Sequence, residues 1–143
     1  MKKQQPSKAL NLSLWIAQVL LAGMFLMSGL MKVSQPIDKL SQMLPWTSQV
    51  PEALVRFIGV SEFLGAIGLL LPSLLRLRPK LTPIAAVGLA LVMLFAIVFH
   101  ISRGETPAIG MNFVLIAVAL FIAWGRFKEA PIAPKSNNGR ILA

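Results

Sequence analysis

Glu62, Lys32, His100 and Asn112 are polar or ionisable side chains set in four separate apolar stretches of the chain. A carboxylate within an apolar helix is costly unless it faces the protein interior and has a partner, and such residues mark functional sites by default. Glu62 has the chemistry of a proton acceptor or donor; its plainer reading is a hydrogen bond between helices. His100, the single histidine, suits a proton relay. It also suits simple complementation of a helix C-terminus. One imidazole excludes a multi-histidine metal centre within one chain. Lys32 could balance a carboxylate or hold a ligand oxygen, or it could snorkel to the surface. Asn112 reads as a ligand contact or as an interhelical hydrogen bond.

Projected in helical steps, Phe25, Ser28, Gly29 and Lys32 fall within about 60° of one another. Gly59, Gly65, Ala66 and Leu69 share the face of Glu62, and small residues there predict close packing against another helix. His100 shares a face with Leu89, Met93 and Ala96, and Asn112 with Ala119 and Ala123. Arg56, Arg103 and Glu105 follow close by. These groups predict one polar pocket in the outer half of a helix bundle, with no comparable group in the inner half. Glu62 and His100 are the candidate catalytic residues. Lys32, Asn112, Ser28, Arg56, Arg103 and Glu105 are the candidate substrate-binding residues. Met24, Met27 and Met31 form a stripe that flexible packing explains better than a ligand role.

The elements that must position these groups are membrane spans. The chain is 56% hydrophobic and 13% charged, about half the charge of a typical soluble domain, with a mean hydropathy of +0.73. Four apolar runs, about 12–31, 53–71, 81–101 and 107–124, are each long enough to cross about 30 Å of hydrocarbon. The reading is an all-α integral membrane four-helix bundle over residues 12–125. A basic N-terminus (1–11) precedes it, and a polar, disordered tail (126–143) follows. The basic start could suggest a signal peptide, but the first run is longer than an h-region and lacks a small-residue cleavage site. It reads as a retained helix. There are no cysteines, which removes thiolate metal sites, iron–sulfur clusters and disulfide exchange.

Of the 14 basic residues, Lys2, Lys3, Lys8, Arg76, Arg78, Lys80, Arg126, Lys128, Lys135 and Arg140 lie on one side of the predicted spans. The positive-inside rule then puts both termini in the cytoplasm. The net charge of +9 clusters at span ends, the pattern of topology and not of nucleic-acid binding. The loop between the first two spans, about 21 residues, is long enough to contain structure. Ile37, Leu40 and Leu44, between Pro36 and Pro45, predict a short surface helix with Trp46 as an interfacial anchor. An irregular loop is the alternative.

Phe25-Leu26-Met27-Ser28-Gly29-Leu30-Met31-Lys32 resembles the first-helix motif of the DoxX-like family. The stretch from Gly59 through Glu62 to Pro72 resembles its second-helix motif, and Ala85 through His100 to Arg103-Gly104-Glu105 its third helix and following loop. The resemblance implies a four-helix, multi-pass protein of the bacterial inner membrane. That family is named after a subunit of an archaeal thiosulfate:quinone oxidoreductase, and other relatives are linked to redox complexes or act as membrane chaperones.

The resulting expectation is a redox accessory or quinone-interacting subunit, without a covalent redox centre of its own. A quinone is the candidate cofactor; no metal or iron–sulfur cluster is expected. The bilayer, a redox protein and a second copy of the chain are the candidate partners, and nucleic acid is not. Two alternatives stand beside it: a non-enzymatic membrane scaffold or assembly chaperone, and a small transporter or proton-conducting oligomer. Four spans without an inverted repeat argue against the last.

Overall fold

The computed structural model describes residues 6–136. Lys2, Lys3 and the predicted tail from residue 137 onward, Arg140 included, lie outside the described residues. Among the described residues there are five α-helices and no strand: α1 Lys8–Ser34, α2 Ile37–Met43, α3 Glu52–Leu75, α4 Leu81–Ser102 and α5 Thr106–Trp124. Helices α1, α3, α4 and α5, the last continued by a π-turn over Gly125–Glu129, are long and apolar enough to cross a membrane. The all-α, four-span expectation holds.

Helix α1 starts earlier than its apolar run because Ser7 caps it, its Oγ accepting from the Leu10 amide at 3.1 Å. The larger departure is at Pro72, which lies just past the predicted run of 53–71 but inside α3. Proline lacks the N–H that its ladder bond needs and crowds the preceding turn. Such a break is tolerated in a membrane helix where side chains re-satisfy the backbone. The carbonyl that loses its ladder donor is that of Gly68; next to it, the buried Gln18 of α1 donates from Nε2 to the Leu69 carbonyl at 2.8 Å and ties α1 to this turn. Ser73 and Thr82 share a buried hydrogen bond of 2.7 Å between α3 and α4. The helix ends three residues past the proline, where Arg76 adopts a left-handed conformation with φ 55°.

The spans pack in the order α1, α3, α4, α5, and α1 meets α5 over a smaller contact. Small residues set the approach distances. A Cβ on Gly29 would lie 2.7 Å from both the Gly59 carbonyl oxygen and the Phe63 amide nitrogen, so α1 and α3 touch backbone to backbone. The core is built from Leu21, Phe25, Leu69, Leu89, Met93 and Ile122 with alanines between them. Large apolar side chains such as Leu20, Leu64 and Val114 point outward, as lipid contact requires. Leu40 of α2 is fully buried, and a 3-10 turn over Pro45–Ser48 follows. The loop between the first two spans is therefore structured, and α2 and this turn belong to the end of the bundle away from the termini.

Replacing Gln18 by leucine leaves the Leu69 carbonyl without its added donor and the Arg126 Nε–H without its acceptor. We expect a loss of about 1–3 kcal/mol, read as a lower midpoint in detergent unfolding of the purified protein.

Candidate functional site

At the long-loop end of the bundle, α1 and α3 bring together a buried ion pair. Lys32 and Glu62 are 6% and 3% exposed. The Lys32 ammonium donates to Glu62 Oε1 at 2.8 Å, to Glu62 Oε2 at 2.7 Å and to Ser28 Oγ at 2.7 Å. The Ser28 hydroxyl donates in turn to Glu62 Oε2 at 2.8 Å. Ser28 and Lys32 sit one helical turn apart, so both face α3. The Gly29–Gly59 contact sets the separation that lets them reach. Lys32 does not snorkel; its charge is compensated inside the protein.

Arg56 closes the end of α1. Its Nη1 donates to the Lys32 and Gln35 carbonyls at 2.6 and 2.7 Å, which have no partner within the helix. It also pairs with Glu52 at 2.8 Å. Opposite lies a second cluster. His100 Nδ1 is 2.7 Å from Glu105 Oε2, and Arg103 Nε donates to Glu105 Oε1 at 2.8 Å. Gly104, at φ 69°, makes the turn that folds Glu105 back onto His100. Arg103 also lies over the Phe99 ring at 5.2 Å and donates to Gln49.

The Arg103 hydrogen bond, then that of His100, holds the Glu105 carboxyl below its ordinary value of 4.5. A carboxylate whose folded value is lowered adds stability above the unfolded value, lost as pH falls through the folded one. We expect the thermal midpoint of the wild-type protein to exceed that of Glu105→Gln above pH 4.5, and the gap to close below it. A gap independent of pH across that window would contradict this.

Between the two clusters lies a cavity of about 980 Å³, at the upper end of the range for small-molecule sites. Ser28, Lys32, Glu62, His100, Glu105 and Asn112 all line it. Arg56 and Arg103 do not; they brace its wall from behind. Asn112 is half-buried and makes no hydrogen bond to any described residue. The remaining lining is apolar, and it includes Trp46, which packs edge-on against Phe99 at 5.8 Å. Trp46 thus forms part of the cavity wall. Of the methionine stripe, only Met24 reaches the cavity, and Met27 points outward.

The expectation that the opposite half of the bundle carries no comparable polar group is wrong. Arg126, nearly fully buried, donates from Nε to Gln18 Oε1 at 2.5 Å and from Nη1 to Asn11 Oδ1 at 2.7 Å and the Ala130 carbonyl at 3.0 Å. Its guanidinium lies over the Trp15 ring at 5.1 Å. The π-turn after α5 rotates Arg126 inward, whereas the sequence reads it as one more cytoplasmic basic residue. The signal available was Gln18, an amide in mid-span and therefore in need of a partner.

A family model described as the DoxX-like family matches residues 16–122, a stretch that contains every polar residue lining the cavity. No curated protein and no solved structure matches the chain.

Proposed function

The chain belongs to the DoxX-like family, and from that premise we propose that it binds a quinone-type carrier for an oxidoreductase partner in the bacterial inner membrane. The basic residues at the terminus end then lie in the cytoplasm, and the cavity lies in the outer half of the bilayer. One observation carries the reading: a large, mostly apolar cavity at span depth has its few polar groups supplied by all four spans. An amphiphile with a compact oxygen-bearing head fits that lining. The bound carrier would supply the redox couple that the side chains lack.

In this reading, Glu62 is the group that gains or loses a proton facing the ligand head. Lys32 and Ser28 position it through their hydrogen bonds. His100, held by Glu105, relays protons toward the loop surface. Asn112 orients the head. Lys32 uses its donors on Glu62 and Ser28, so it acts through Glu62 and not by direct contact. That same saturation favours a second reading, in which the cluster serves helix packing alone and the protein is a scaffold.

Tryptophan fluorescence separates the two. The chain has three tryptophans, and Trp46 lines the cavity. In a Trp15→Phe/Trp124→Phe variant in lipid nanodiscs, a decyl-substituted para-benzoquinone should quench Trp46 with a saturable curve. Linear quenching with no plateau, as collision in the bilayer produces, would support the scaffold.

A further inference from the structure

The hydrogen-bonding capacity that faces the cavity is unevenly divided. An ammonium has three donors, and those of Lys32 go to Glu62 Oε1, Glu62 Oε2 and Ser28 Oγ. The Ser28 hydroxyl donates to Glu62 Oε2. Oε2 thus accepts twice, whereas Oε1 accepts once and keeps a free lone pair. On the far wall, Nδ1 of His100 meets the carboxylate of Glu105 at 2.7 Å. A carboxylate that also accepts from Arg103 takes the Nδ1 hydrogen. The other ring nitrogen of the neutral imidazole is then an acceptor. Asn112 adds a carbonyl oxygen and an amino group, neither bound to a described residue.

Among the described residues, the lining therefore presents acceptors on α3, α4 and α5, and its donors without a partner are the Asn112 amide and the Trp46 indole N–H. Among the described residues it also presents no unbalanced cation. Lys32 is matched by Glu62, and Arg103 is turned onto Glu105, Gln49 and the Phe99 ring. A phosphate head would find no cation that is not already paired with a carboxylate. Access is lateral: Phe57 of α3 and Phe95 of α4 both line the cavity, yet are 68% and 72% exposed at span depth. A ligand can leave its tail in lipid while its head is inside.

We infer that the preferred occupant is neutral, membrane-dissolved and hydroxyl-bearing, so that the cavity selects the reduced hydroquinone over its quinone. This rests on the reading of the cavity as a quinone-type site. Hydroxyl hydrogens meet Glu62 Oε1 and the free nitrogen of His100, whereas a quinone has no hydrogen to give and leaves both acceptors unpaired. A site built to receive a hydroxyl rejects the analogue that lacks it, because its own polar atoms are left unpaired.

The test compares three probes with one tail, under anaerobic conditions in nanodiscs: decyl-substituted para-hydroquinone, the matching quinone and the dimethyl ether of the hydroquinone. The hydroquinone should bind at least about tenfold tighter than either analogue. Asn112→Leu should weaken hydroquinone binding while keeping the wild-type thermal midpoint, since Asn112 has no described protein partner to lose. Equal affinities, or a tighter quinone, would overturn the selectivity and leave the cavity's role as a quinone-type site standing. Absence of saturable binding by all three probes would overturn that role, and the selectivity with it.

Discussion

Lys32→Met should destabilise the bundle by about 3–5 kcal/mol, the usual cost of removing one partner from a buried ion pair. The loss comes less from the missing attraction than from what remains. Glu62 is 3% exposed, and without Lys32 its charge has only the Ser28 hydroxyl against it. The double variant Lys32→Met/Glu62→Leu removes both charges and should recover most of the stability, because an apolar pair of similar volume often matches a buried ion pair. Reversible unfolding in mixed micelles measures all three proteins. A Lys32→Met protein as stable as wild type would mean that the pair is hydrated and not enclosed.

Gly29→Val should be nearly as damaging, for a steric reason. The added Cβ would meet the Gly59 carbonyl oxygen and the Phe63 amide nitrogen at 2.7 Å. Backbone cannot swing aside as a side chain can, so α1 and α3 must separate. Overpacking alone costs about 1–3 kcal/mol. Separation also lengthens the Lys32–Glu62 contact one turn away, which adds to the loss. Gly23 lies on the same helix with nothing within 4 Å of its added Cβ. Gly23→Val therefore serves as the control and should change the unfolding midpoint little.

These two sites show how far the sequence could be read. The spans were legible because hydropathy over some twenty residues outweighs any local ambiguity. Glu62 was legible because a mid-span carboxylate demands an interior partner. Its partner was not: Lys32 lies near a span end, where spacing alone equally allows a lysine to reach the surface. Only the Gly29–Gly59 approach decides the matter, and that is a property of two helices together. Arg56 and Arg103 looked like binding groups because they lie close in sequence to the cluster. Their guanidinium groups turn instead to carbonyls, Glu52, Glu105 and Gln49, which spacing along one chain does not reveal. Arg126 was hidden by a π-turn, whose wider winding brings it to the buried face. The run read as ending at 71 continues through Pro72 to Leu75, which hydropathy alone does not show.

The account stands or falls on whether a quinone-type head enters the cavity between the four spans. Photolabelling answers this most directly, with an azido-substituted decyl benzoquinone in nanodiscs and peptide mapping of the adduct. The account predicts labelling of cavity residues such as Phe57, Phe99 and Met111, suppressed by excess unlabelled decyl benzoquinone. Label spread over outward-facing residues such as Leu20, Leu64 and Val114, and unaffected by competitor, would contradict it.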